Sequence, residues 1–297
     1  MSATARRSLS FLPAALVGGL ILIFGLAPEA STQQADDFVG SDLCQECHPD
    51  EWDTFTAGVH YSLELEGAEV AGCETCHGAG MDHVVLAGEG EDGAREAIIS
   101  FNKESAEVMT AQCLTCHAEM ETQQHYGIGD HLNVGVACSD CHSGHQDLRI
   151  HASLQQSEPG LCFECHGETR AQFWLPNSHP VNENKGFMVC SDCHNPHGTT
   201  NQTQIWQAGN DTCTECHAEK KGPFVFPHMP VETDGCAVCH QPHGSTNMFM
   251  LNYAETWLNC LQCHTAIPSF HQMPARQQCT ACHAQIHGSN LDPNFLR

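Results

Sequence analysis

Twenty cysteines occur in this chain, and every one belongs to a single pattern, C-x-x-C followed at once by histidine. The ten copies are CQECH (Cys44, Cys47, His48), CETCH (Cys73, Cys76, His77), CLTCH (Cys113, Cys116, His117), CSDCH (Cys138, Cys141, His142) and CFECH (Cys162, Cys165, His166), then CSDCH (Cys190, Cys193, His194), CTECH (Cys213, Cys216, His217), CAVCH (Cys236, Cys239, His240), CLQCH (Cys260, Cys263, His264) and CTACH (Cys279, Cys282, His283). Disulfides need no histidine at all, and a zinc ribbon needs four sulfurs with no histidine at a fixed place. The reading that uses the histidine is c-type haem attachment: two thioethers fix the porphyrin and the adjacent imidazole binds iron. Ten such groups would make up most of an apolar interior, so this motif constrains the fold more than any other feature.

Haem iron takes a second axial ligand, and twelve further histidines are available. The motifs fall into five pairs, with first cysteines 29, 25, 28, 23 and 19 residues apart. Within each pair one histidine precedes the second motif: His60, His131, His179, His228 and His271. Another follows that motif: His83, His145, His197, His243 and His287. These ten are the expected distal ligands, and the repeat leaves His125 and His151 outside the set. The choice of His131 over His125 rests on spacing and on the likeness of HLNV to HPVN and HMPV. With ten imidazole pairs no iron is left open for a substrate, which argues for electron transfer and against an enzyme. Met81, Met188, Met229 and Met273 read as packing against porphyrin faces. In HMPVETDGCAVCHQPHG, one of His228 and His243 is expected to serve the iron of His240 and the other a neighbouring haem.

Charge narrows the partners. The chain carries 11 basic and 36 acidic residues, a balance that repels phosphate backbones, so nucleic acid is not an expected partner. At the start, Arg6 and Arg7 precede the apolar run Phe11 to Ala27, which predicts a signal peptide over residues 1–30 and export of the remainder.

The mature segment, 31–297, then reads as one decahaem domain of five two-haem units. Stretches entering a first motif, GAREAIISFNKESAEVMTAQ before Cys113 and NMFMLNYAETWLN before Cys260, predict helices. HNPHGTTNQT, HGSTN and LAGEGEDG predict loops. No alternating strand pattern occurs. The fold class expected is a multihaem cytochrome c, with short α-helices and irregular loops wrapped around ten haems, little or no β-sheet, and an elongated row of units.

The runs Cys213 to His264 and His179 to Gly198, with their HNPHG, HQPHGS and GPF elements, resemble the periplasmic decahaem cytochromes of the MtrA, DmsE and PioA type, from Cys44 to Asn290. That resemblance implies an extended bis-histidine wire inserted in an outer-membrane β-barrel porin of the MtrB type. It would take electrons between inner-membrane or periplasmic cytochromes and an outer-surface multihaem cytochrome or reductase. It also implies a periplasmic location at the outer membrane, and a division into two five-haem lobes with a boundary near 170–190. A soluble periplasmic shuttle to a reductase is the alternative function. HGAGMDH in the first unit and HAQIH in the last depart from the family pattern by lengthening the step to His83 and His287.

Overall fold

Frequent glycine, proline and asparagine permit only short helices: proline removes a helical hydrogen bond, glycine costs backbone entropy, and the asparagine side chain competes for the backbone. The computed structural model of the chain has that character. It describes residues 37–61, 64–65, 68–69, 72–145, 151–181, 187–268, 271 and 278–296, all within one unit, Asp36–Arg297. The signal-peptide segment and Met273 lie outside the described residues. The longest described helix is Ala106–His117, where the Ser105 hydroxyl accepts a hydrogen bond from the Val108 N–H.

That cap corrects one expectation. Gly93 to Glu104 folds as turns rather than helix: Gly93 has φ 107°, and the helix starts only where the Ser105 side chain caps it. The stretch before Cys260 is likewise helical only over Thr256–Leu261, preceded by a tight turn at Met248–Met250. Leu86 to Glu89, expected as loop, forms the last turn of the helix Met81–Glu89, which Gly90 ends in a left-handed conformation at φ 70°. Strand is confined, among the described residues, to two antiparallel pairs: Glu64–Leu65 with Ala68–Glu69, and Phe226–Pro227 with Gly288–Ser289. Among the described residues no helix is long and apolar enough to cross a membrane.

Each attachment motif closes on itself as one helical turn. The N–H of His48, His142, His166, His194, His217, His240, His264 and His283 donates to the carbonyl of the first cysteine of its own motif at 2.8–3.1 Å. Residues three and four apart share a face of a turn, so both sulfurs and the imidazole project to the same side.

Side chains alone supply little core. Among the described residues the buried apolar side chains are Phe55, Ala106, Met109, Tyr126, Ala137, Phe163 and Val181, with no large side chain fully buried. One small cluster joins Ala106, Met109 and Ala137, with Phe101 and Leu132 against it. Large apolar groups instead stand open, Trp174 at 78% and Phe187 at 84% exposure. Apolar surface left this open is what a chain designed to cover a large apolar group would present.

Candidate haem-binding site

An imidazole nitrogen sits about 2 Å from a first-row metal ion and ~1 Å from its own ring centroid, so two rings that clamp one ion in line stand roughly 6 Å apart. The histidine of every motif faces one other imidazole at that separation. His48 faces His83 at 6.2 Å, His77 faces His145 at 6.0 Å, His117 faces His60 at 6.1 Å, His142 faces His197 at 5.8 Å and His166 faces His131 at 6.1 Å. His194 faces His243 at 6.0 Å, His217 faces His179 at 6.3 Å, His240 faces His287 at 6.4 Å, His264 faces His228 at 6.3 Å and His283 faces His271 at 6.1 Å. The structure brings His131, not His125, against a motif imidazole. His125 instead lends its backbone carbonyl to the packing of Gly198. The side chain of His151 lies outside the described residues.

The pairs follow a rule that spacing does not reveal. Taking the motif pairs as units one to five, the histidine between the motifs of one unit faces the first motif of the next unit. The histidine trailing the second motif faces the second motif of the preceding unit. Each of four junctions therefore exchanges two imidazoles, and only His83 and His271, at the two ends, face a motif of their own unit. Neither His228 nor His243 faces His240, contrary to expectation: His228 reaches forward to His264, His243 reaches back to His194, and His287 fills the place opposite His240. The reason is length. Two or three residues after a motif, or a proline-containing turn before it, point the imidazole away from the motif it adjoins.

The cysteines interleave in step with the imidazoles. Within each unit the first cysteines lie together: Cys44 with Cys73, Cys113 with Cys138, Cys162 with Cys190, Cys213 with Cys236, Cys260 with Cys279. Across junctions the second cysteines interact: Cys76 with Cys116, Cys141 with Cys165, Cys193 with Cys216, Cys239 with Cys263. The shared thiol hydrogen bond holds Cys138 and Cys213 down to about 7, while burial and Cys73 push Cys44 up to about 11. First cysteines are therefore neighbours within a unit, and second cysteines are near enough to feel the next motif's sulfurs across a junction.

Hydrogen bonds to Nδ1 set which ring nitrogen is free. Nδ1 of His77, His142, His194, His240 and His283 donates to the carbonyls of Ile99, Ala152, Thr203, Phe249 and Asn294 at 2.6–2.8 Å. Nδ1 of His83, His131 and His179 donates to Ala94, Pro196 and Pro242 at 2.6–2.8 Å, His243 meets Gln172 Oε1 at 3.0 Å, and His228 bonds the backbone of Ile286. A donor fixed at Nδ1 leaves Nε2 as the lone-pair nitrogen, the tautomer a metal requires. Burial holds two further imidazoles, His197 and His287, down to about 4, which keeps those rings neutral. The residues present therefore fit haem.

Three of the carbonyls come from one recurring device. Ala152 and Ser153, Thr203 and Gln204, and Phe249 and Met250 are non-glycine pairs with φ between 53 and 58°. The first carbonyl of each pair takes the imidazole; the second takes the N–H of Ser143, Asn195 or Gln241 at 2.7–2.9 Å. Two left-handed residues cost about 2–4 kcal/mol. These two bonds and a third, from Gln155, Trp206 or Asn252 to the second cysteine's carbonyl, return about 3 kcal/mol.

Several supporting residues have no signal in the motif arithmetic. Glu74, inside a motif, is buried and accepts from Val39 N, Gly40 N and Gly80 N at 2.8–2.9 Å. Asn195 Nδ2 donates to Thr122 O at 3.0 Å, and its Oδ1 accepts from His197 N at 3.1 Å. The HNPHG run is the one sequence hint of this role, since its asparagine is placed to hold the second histidine.

Attachment turns facing paired imidazoles define a multihaem c-type cytochrome, an electron-transfer class. The doubled CXXCH motif family matches residues 131–171, 179–222 and 228–268; each match opens on an inter-motif histidine and runs across a junction. Over 276 residues, 84% of this chain and 79% of the relative, the sequence is 36% identical to the multiheme cytochrome MtrA of Shewanella baltica (strain OS185). The chain belongs to the MtrA family of multihaem cytochromes.

Proposed function

We propose that this cytochrome holds ten bis-histidine haems in chain order and conducts electrons across the outer membrane, inside a β-barrel porin. The observation that carries the reading is the set of ten facing imidazole pairs, eight of them exchanged between successive units. Bound haem supplies an iron that gains and loses one electron at a time. The chain's residues do the rest. The cysteine pairs would tether each haem through thioether bonds, and the nearness of successive motifs along the chain would bring neighbouring haems together. His48, His77, His117, His142, His166, His194, His217, His240, His264 and His283 serve as proximal ligands; His83, His145, His60, His197, His131, His243, His179, His287, His228 and His271 serve, in that order, as distal ligands. Nδ1 hydrogen bonds to oxygen hold nine of these rings in orientation, and with two imidazoles for each iron no position would be open to substrate, so the role is conduction rather than catalysis.

Periplasmic and inner-membrane cytochromes are the donors or acceptors on one side, an outer-surface cytochrome or reductase on the other. The family resemblance and the acidic, exported sequence support that placement. Proteoliposomes loaded with a reduced dye test it: cytochrome with its barrel should pass electrons to an external acceptor, and no transfer would sink the conduit. Intact mass should exceed the polypeptide by roughly 6 kDa, the increment of ten haems.

A further inference from the structure

The His60–His117 pair differs from the other nine in two independent respects. Its ring planes cross at 88°, whereas the others lie between 14 and 60°. Second, eight of the other pairs have a backbone carbonyl on Nδ1 of one ring: Ala94 for His83, Ile99 for His77, Ala152 for His142, Pro196 for His131, Thr203 for His194, Pro242 for His179, Phe249 for His240 and Asn294 for His283; in the ninth, His228 bonds the backbone of Ile286. Neither ring of His60–His117 has such a partner among the described residues. His117 Nδ1 instead meets the thioether sulfur of Met120 at 2.9 Å. A tight turn fixes that contact, with Met120 N donating to His117 O at 3.2 Å.

A carbonyl on Nδ1 draws the proton away from the ring and makes the imidazole a stronger donor to iron, which favours the ferric state. A thioether is a weak acceptor, so His117 donates less and the ferrous state gains. Resting on the bis-histidine reading above, we propose that the haem tethered by Cys113 and Cys116 is the most readily reduced of the ten, with Met120 as the residue that tunes it. An electron arriving from a neighbouring ferrous iron, which becomes ferric, dwells there. Crossed imidazole planes give this haem its own label, since donation into two perpendicular iron orbitals leaves them nearly degenerate and produces a large-g, strongly anisotropic low-spin signal.

The experiment is a stepwise reductive titration of the fully loaded protein followed by electron paramagnetic resonance. One large-g signal should be present when oxidised and should vanish first. Met120→Gln, which offers an amide oxygen, should move its loss to later in the titration, whereas Met120→Leu should leave it first. Absence of the signal, its loss with or after the bulk, or an unchanged order in Met120→Gln would overturn the proposal. High-spin iron or a mass short of ten haems would overturn the bis-histidine reading instead.

Discussion

The first junction and the three that follow reach the same imidazole spacing by different means. At the later junctions a glycine follows the trailing histidine, and another segment approaches too closely to leave room for a Cβ. A Cβ on Gly198 would lie 2.7 Å from the His125 carbonyl oxygen, one on Gly244 would collide with the Gln172 backbone oxygen, and one on Gly288 would collide with the Phe224 ring. At the first junction Gly144 precedes His145 and has nothing within 4 Å. His145 is held there by an aromatic group: buried Phe55 packs on it at 6.1 Å, and Tyr61 packs on Phe55 at 5.8 Å. The imidazole pair is thus the constant, and the packing that delivers it is free to vary.

The largest effect should come from Phe55→Ala, about 4 kcal/mol, since a buried aromatic leaves a cavity that a short-helix chain fills poorly. Denaturant unfolding of the loaded protein should report the loss. Low-spin coordination should fail at the His77–His145 pair and survive at His194–His243. Failure at both would mean the junctions share one support, and the distinction drawn here would fall.

Next in size is the glycine contrast. Gly244→Ala must move the Gln172 backbone and should cost about 3 kcal/mol, the range of overpacking. Gly144→Ala should change stability by less than about 0.5 kcal/mol, as for surface changes generally. Equal costs at the two sites would break the comparison.

What the sequence made legible follows the same division. Covalent chemistry was readable because C-x-x-C-H has one economical use, and the ten facing histidines were readable because a period repeats five times. Their partners were not. His243 lies three residues after His240 yet faces His194, since direction is set by a turn whose left-handed residues are Thr203 and Gln204 or Phe249 and Met250, not glycines. Propensity offers no warning there, because the conformation is imposed by the imidazole and N–H groups that the carbonyls satisfy. Met120 and Glu74 were equally silent: a methionine or glutamate near a motif is chemically ordinary until the fold aims it.

A smaller effect sharpens that point. Ala152 is exposed at φ 56°, and asparagine tolerates this region better than alanine. Ala152→Asn should therefore stabilise by about 0.5 kcal/mol, and the same substitution at Ile99, which serves His77 from an ordinary turn, should destabilise. Paired thermal melts would detect a reversal of those signs.

The smallest effect lies in the long excursion between the second and third motifs, which the later junctions lack. Lys103 Nζ donates to Glu96 Oε1 at 2.8 Å, and that bond holds the Glu96 carboxyl below its ordinary value. A carboxyl lowered on folding adds stability above its unfolded value of 4.5 and loses it as pH falls through the lower folded value. Both side chains are exposed, so the contribution is small and screened by salt. Comparing Lys103→Met with the parent chain between pH 3 and 6 isolates it: the difference should be present at pH 6, fade toward pH 3, and shrink in high salt. A difference that grows on acidification would mean that Glu96 is stabilised by protonation, and that the excursion is held by something other than this pair.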